Sequence, residues 1–214
     1  MLQVFGSSGQ EQPWFVWMLV QAELGLLRTP ESALWRQTVG PVSYTPAQTW
    51  LGRSPDPGPG SLVHLVRRYF AAFGPASRAD LGQWSGVAIS VLAPAIDALE
   101  PLPRFRDEGG RELLDLPRQP LPAADTPAPV RFLPHWDSVL LAYDSRARIL
   151  PDQHRKTVIR RNGDVQPTFL VDGFVAGTWT QTDGSVVVEP FEPIPRATRR
   201  ELDAEARALE RFLA

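Results

Sequence analysis

Two stretches rich in proline and glycine cut this chain and limit what it can fold into: RSPDPGPG at residues 53 to 60 and PRQPLPAADTPAP at residues 117 to 129. Proline fixes φ and removes a backbone donor, and glycine loses the most conformational freedom on ordering, so neither stretch continues a helix or a sheet. Three pieces are therefore expected, at residues 1–52, 61–117 and 130–214.

In the first piece Pro13 precedes an apolar run from Trp14 to Val20. Proline suits the first helical turn, where its missing N–H costs nothing. The pattern predicts a helix over about 13 to 25 and a hairpin within about 26 to 46, with Gly40-Pro41 at or near its turn. In the second piece Ser61 is placed to cap a helix carrying Leu62, Val63, Leu65, Val66, Tyr69 and Phe70, stopped by Gly74-Pro75. Ser77 caps a second helix ending near Gly86. A third runs from about Ser90, again a capping residue, to Leu99, with Pro94 demanding an early turn or a kink. Extended segments at 102–106 and 111–116 follow, making three short helices and a hairpin, the arrangement of a winged helix. The third piece reads mostly as β. Strands are predicted at 130–133, 138–142, 156–160, 168–171, 174–181 and 185–190, with turns at Asn162-Gly163-Asp164, Asp172-Gly173 and Asp183-Gly184. Such strands suggest a small barrel or sandwich, here followed by a helix over about 196 to 213.

Composition narrows the chemistry. With no cysteine there is no disulfide, thiolate zinc site or cysteine nucleophile, which fits a cytoplasmic protein. No apolar run reaches the roughly 18 residues of a membrane span, and no basic-then-apolar leader is visible, so no membrane partner is expected. His64, His135 and His154 have no metal-ligand spacing, and no glycine-rich loop opens a helix to cradle phosphate. Neither a metal nor a cofactor is expected. Of the 22 basic residues only Lys156 is a lysine. Arginine's planar fork suits phosphate, although a GC-rich genome produces the same bias. A net charge of −2 confines any nucleic-acid surface to a local patch.

One such patch is His154, Arg155, Lys156, Arg160 and Arg161. On a strand, Lys156 and Arg160 share a face and Arg161 takes the other; the patch is either a phosphate strip or a solvated β edge. Arg67 and Arg68 lie on the first helix of the 61–117 piece, and Arg78 opens the second. The presumed recognition helix, AISVLAPAIDALE, contains no arginine and few donors, which disfavours sequence readout. Asp137 and Asp144 flank an apolar run and are expected to form a salt-bridged corner with Arg146 and Arg148 rather than a catalytic pair.

Three blocks carry a resemblance: LVRRYFAAFGPASRADLGQWSGV within residues 62 to 87, RFLPHWDSVLLAYDSRARIL, and PTFLVDGFVAGTW. Their ordered set, reaching to residue 179, is similar to winged-helix DNA-binding proteins related to the bacterial interstrand-crosslink DNA glycosylases. That family has tandem winged helices and a C-terminal β domain. The resemblance implies an α+β fold: a tandem winged helix, the first one incomplete, then a small β-barrel-like domain and a C-terminal helix. It marks Trp84, Pro134, Asp137, Asp144, Arg146, Asp172, Gly173, Gly177 and Trp179 as structural motif positions. It also implies double-stranded DNA as partner. Segment 10–50 resembles the later part of a second winged helix, so the first, which in the family carries a glutamine–hydrophobic–glutamine or glutamine–hydrophobic–aspartate motif, would lie upstream. On this reading the chain is N-terminally truncated and holds no catalytic residue of its own. Gln10-Glu11-Gln12 has a charged middle residue and the wrong context for that motif, and Gln181 with Asp183 reads as turn chemistry. The expected function is duplex binding through the backbone with little sequence specificity, related to DNA repair. The alternatives are a DNA glycosylase acting on alkylated or crosslinked bases, and a non-binding remnant or interaction module.

Overall fold

A computed structural model describes residues 13–30, 42–54, 58 and 60–213, and the chain divides into two units, Met1–Pro59 and Gly60–Ala214. In the first unit, helix α1 (Pro13–Glu23) leads through Gly25, at φ 53°, into strand β1 (Leu26–Arg28). Strand β1 pairs antiparallel with β2 (Tyr44–Pro46), Leu27 opposite Thr45. A short helix α2 (Ala47–Leu51) follows and ends at Gly52, in the left-handed conformation that glycine tolerates. The expected turn at Gly40-Pro41 lies outside the described residues, as does Gln10-Glu11-Gln12.

The second unit opens with α3 (Ser61–Phe73), whose Leu62, Val63, Val66, Tyr69, Phe70 and Phe73 recur at steps of three and four and form one apolar face. Ser61 does not cap it: Gly60 holds the N-cap position without a side-chain bond, and Ser61 is the first helical residue. Helix α4 (Arg78–Ser85) is capped as its sequence demands. Ser77 Oγ accepts from Asp80 N while the Asp80 carboxylate accepts from Ser77 N, and Gly86 at φ 68° ends the helix. Helix α5 (Ile89–Asp97) starts after Ala88 with no side-chain cap, so Ser90 does not cap it, and Pro94 is accommodated inside it. A hairpin of β3 (Arg104–Arg106) and β4 (Glu112–Leu114) completes this part, and Ala76 bridges to Leu114 beside it. These elements share a core containing Val66, Tyr69, Phe70, Leu81, Leu92 and Ile96.

The rest is a four-stranded antiparallel sheet in the order β5 (Arg131–Leu133), β6 (Thr168–Val171), β7 (Phe174–Thr182), β8 (Ser185–Pro190). Among the described residues it does not close, so the expected barrel is an open sheet. Helix α8 (Arg196–Leu213) buries Leu202 with Val130 and Phe169. Two predicted strands are short helices instead. Residues 138–142 give α6 (Ser138–Leu141), because Asp137 accepts from Val139 N at 2.8 Å and nucleates a helical turn. Residues 156–160 give α7 (Arg155–Val158), continuous with a 3-10 turn at Asp152–His154; only Ile159 makes a β-bridge, to Val165. A short apolar run within five residues does not distinguish strand from helix.

Candidate nucleic-acid interface

Since 156–160 is not a strand, Lys156 and Arg160 share no strand face. Lys156 lies with Arg155 on α7, while Arg160 and Arg161 lie on the hairpin that follows. The two groups stay close because Ile159 N donates to Arg155 O at 2.8 Å and Gln166 N to Val158 O at 2.9 Å. Arg160 Nη2 donates to Gln166 Oε1 at 3.0 Å, and Gln166 Nε2 to Asp164 Oδ2 at 2.6 Å. Among the described residues the side chains of Lys156 and Arg161 make no hydrogen bond or ion pair, and both are exposed. His154 departs from the expected strip: its ring is half-buried and stacks on Phe191 at 4.2 Å. Arg67 and Arg68 are exposed on α3, and Arg78 sits 3.8 Å from Asp97 in an open ion pair.

Each of the motif positions has a definite setting in the fold. Trp84 is half-buried, its ring 5.1 Å from Tyr69 and 6.1 Å from Phe73. Trp179 Nε1 donates to Leu133 O at 2.9 Å, tying β7 to β5 across β6. Gly177 lies so close to Phe169 and the Glu189 carbonyl that a Cβ has no room. Asp172 and Gly173, at φ 50° and 79°, turn the chain from β6 into β7. Pro134 is exposed ahead of the turn that Asp137 closes. The salt-bridged corner, however, does not form: neither Asp137 nor Asp144 makes an ion pair among the described residues. Asp137 is the α6 cap, and Arg146 Nε donates to Leu140 O at 2.7 Å. Burial, with the charge of Arg155 second, pulls the Arg146 guanidinium below its ordinary pKa.

The acid that does organise this region is Asp80, which sequence reasoning passed over. It is 1% exposed. Its Oδ2 accepts from Ser77 N and Ser77 Oγ, and its Oδ1 from Asp144 N at 2.9 Å, joining α4 to the segment after α6. The only available signal was the spacing Ser77-x-x-Asp80, a capping pattern. Beside it Tyr69 donates to Ala142 O at 2.8 Å and Tyr143 to Phe73 O at 3.1 Å. Burial, with the Asp80 charge second, holds the Tyr69 phenol far above its ordinary pKa; burial also raises that of Tyr143. Arg148 covers the Tyr143 ring at 4.6 Å and donates to Pro75 O at 3.1 Å.

This joint borders a cleft of about 630 Å³ between the β3–β4 hairpin and the 145–148 segment. Arg106, Arg111 and Arg148 line it along with Asp107, Glu108 and Phe174. Asp107 is bonded to Arg111 at 2.7 Å, and that bond holds the carboxyl below its usual range. The cleft offers guanidinium donors beside an exposed aromatic ring, a chemistry suited to phosphate and base. Arg106 and Arg111 were not singled out in the sequence, since nothing marks two hairpin arginines as cleft-facing. Among the described residues no group of three His, Cys, Asp or Glu side chains is arranged to hold a metal ion, and no helix is long and apolar enough to cross a membrane.

Comparison with known proteins places these observations. A curated relative, the interstrand DNA cross-link repair glycosylase of Streptomyces sahachiroi, is 26% identical over 162 residues, covering 72% of this chain and 43% of its own length. The solved structure of the Streptomyces sahachiroi DNA glycosylase AlkZ superposes with a TM-score of 0.66 at 23% identity, over 80% of this chain and 50% of that one. The likeness to that structure shows the fold, and this chain spans about half the length of the relatives it matches. The profile of a family described as DNA glycosylase AlkZ-like matches residues 7–212, nearly the whole sequence, and the chain belongs to that family.

Proposed function

We propose that this protein acts in DNA repair of the glycosylase kind, with residues 60–213 gripping duplex DNA by its phosphates around an alkylated or crosslinked base. The family match over residues 7–212 is the observation that carries this reading. The element order supports a winged helix in it: α3, the Ala76 bridge, α4, α5 and the β3–β4 hairpin follow one another as helix, short strand, two helices and wing. The composition of α5 supports backbone rather than base contacts, because Ile89–Asp97 offers only Ser90 and Asp97 as polar side chains. The exposed cations Arg155, Lys156 and Arg161 and the arginine-lined cleft supply phosphate partners.

Family membership favours base excision as the activity. Within the described residues Asp137 is occupied as a helix cap, and no carboxylate pair faces the cleft apart from Asp107 and Glu108. The test has two arms. Fluorescence anisotropy with a labelled duplex is expected to show affinity falling with salt at a log–log slope of about 0.9 per neutralised phosphate. Replacing Lys156, Arg160 and Arg161 together by alanine should weaken every duplex alike and lower the slope by up to about 2.7. Unchanged binding by the triple variant would remove that patch from the interface. In the second arm, duplex carrying an alkylated purine or a nitrogen-mustard crosslink is incubated with the protein and assayed for abasic sites. Abasic product that disappears in Gln10→Ala or Gln12→Ala would assign the chemistry to that segment. Product that survives both would direct the search to Asp137.

A further inference from the structure

Trp136 is out of place for a residue of its size. Its backbone sits at φ 60°, in the left-handed region that bulky L-residues rarely occupy, and its side chain is 52% exposed. Of the four non-glycine residues with positive φ among those described, it is the only one that is aromatic; two of the others are the aspartates of hairpin turns. A strained backbone persists only where its surroundings fix it, and here they do. On one side Leu133 is held in β5, with its carbonyl bonded to Trp179 Nε1. On the other Asp137 caps α6. From below, Trp136 N donates to Val165 O at 3.3 Å, and His135 Nδ1 lies 3.1 Å from the same oxygen. The indole is thus presented to solvent from a fixed turn, with no hydrogen-bond partner for it among the described residues.

The hairpin that supports it carries cations. Val165 belongs to the hairpin that bridges back to Ile159, and the tip of that hairpin carries Arg160 and Arg161. Arg160 N donates to Asp164 O and Gly163 N to Arg160 O, so the tip is a closed turn. Asp164 lies 3.8 Å from His135 and is bonded by Gln166, while Arg161 has no acid partner among the described residues. Arg155 and Lys156 on α7 join the same hairpin at Ile159. An exposed aromatic face on a turn bonded to a hairpin that carries unpaired arginine is a combination by which proteins hold unstacked bases, the ring against the base and the cations on the flanking phosphates.

Resting on the DNA-binding reading above, we infer that Trp136 stacks on a base that is unpaired or displaced from the helix, so that this protein prefers distorted duplex to regular duplex. Arg161 and its neighbours hold the adjoining phosphates. The two contributions are separable, because stacking is insensitive to salt whereas phosphate contact is not.

The experiment compares, for the full chain, anisotropy titrations of a fully paired duplex and of the same duplex carrying a bulged adenine. The parent should bind the bulged duplex about tenfold more tightly, as one stacked base allows. Trp136→Ala and Trp136→Leu should both erase that preference with the salt slope unchanged, and Trp136→Phe should keep most of it. Arg161→Ala should weaken both duplexes alike and lower the slope by about 0.9. Thermal melting confirms that each variant is folded, and the leucine variant serves if the alanine one is not. If either folded non-aromatic variant retains the parent's preference, or the parent binds both duplexes equally, the stacking role is overturned while DNA binding stands. A parent that binds neither duplex overturns both.

Discussion

Replacing Asp80 by alanine tests whether a single buried carboxylate joins the helical part of the second unit to the segment beyond α6. The side chain is 1% exposed, and its oxygens accept from Ser77 N at 2.8 Å, Ser77 Oγ at 2.7 Å and Asp144 N at 2.9 Å. The truncation strands all three donors at once. The Ser77 hydroxyl rotates to another acceptor at little cost, so the two backbone N–H groups carry most of the effect. A buried donor left unpaired costs about 1–3 kcal/mol, and the Asp144 N–H, being only partly buried, belongs near the lower end. Loss of an N-terminal cap alone costs about 1 kcal/mol, but that figure overlaps with the Ser77 N–H and is not added to it. The expected loss is therefore about 3 kcal/mol, a large share of the 5–15 kcal/mol typical of a folded domain. Urea unfolding followed by circular dichroism and tryptophan fluorescence reads it directly. At a slope of about 2 kcal/mol/M the midpoint falls by roughly 1.5 M. Asp80→Asn is expected to lose about 2 kcal/mol although it preserves shape, because the amide has one acceptor oxygen and its NH₂ must face a donor. If the alanine variant unfolds within about 1 kcal/mol of the parent, the carboxylate is not what holds the joint.

Gly177→Ala should cost about 2–3 kcal/mol in the same assay, because the new Cβ would lie 2.6 Å from Cζ of Phe169, a ring that is 0% exposed and cannot withdraw; Gly60→Ala, where nothing lies within 4 Å, is the control expected to stay within about 0.5 kcal/mol. Asp115 is buried, and desolvation raises its carboxyl above the ordinary range against a single opposing bond from Leu116 N. A raised folded-state pKa means the contribution to stability is present below the unfolded value and lost as pH rises through the folded one. Asp115→Asn should accordingly gain on the parent as pH rises above the ordinary carboxyl value of about 4, and a difference that stays flat with rising pH refutes the account.

Local punctuation made much of the helical part legible in the sequence. Ser77 and Gly86 bound α4 in the structure as capping chemistry demands, and the steps of three and four from Leu62 to Phe73 define the buried face of α3. Where local signals were weak the reading failed, and in a consistent way. Residues 138–142 and 156–160 are short runs containing β-branched valine or isoleucine, yet each follows a feature that starts a turn, Asp137 in one case and the 3-10 turn after Pro151 in the other. Nor does alternation reveal whether a sheet closes. Among the described residues strand β8 has a sheet partner only in β7, and the edge strand β5 pairs only with β6, which leaves the sheet open. At the candidate interface, residue type located Arg155, Lys156 and Arg161, but not which cations remain available. Arg146 is turned inward to a carbonyl, and His154 is engaged by Phe191, through contacts that arise only in the folded chain. Asp80 was missed for the same reason: its third partner, Asp144 N, is 64 residues away.

That distinction between the number of charges and their placement also makes the proposed phosphate contacts compatible with a net charge of −2. Fields of exposed charges are screened over about 8–10 Å at physiological salt, so the sign felt by a phosphate is set by near neighbours rather than by the total. Several carboxylates are committed to backbone donors far from the α7 hairpin in sequence: Glu201 accepts from Val130 N at 2.9 Å, Glu210 from Val186 N at 2.8 Å, and Asp80 from the α4 terminus. At the hairpin itself Asp164 is tied to Gln166 and its backbone closes the turn, while the side chains of Arg155, Lys156 and Arg161 make no hydrogen bond or ion pair with any described residue. Folding thus uses acids as caps and joints and leaves cations unmatched at one tip. The consequence is local attraction without a positive molecule, so that on the proposed function DNA affinity would depend on a few side chains rather than on overall charge.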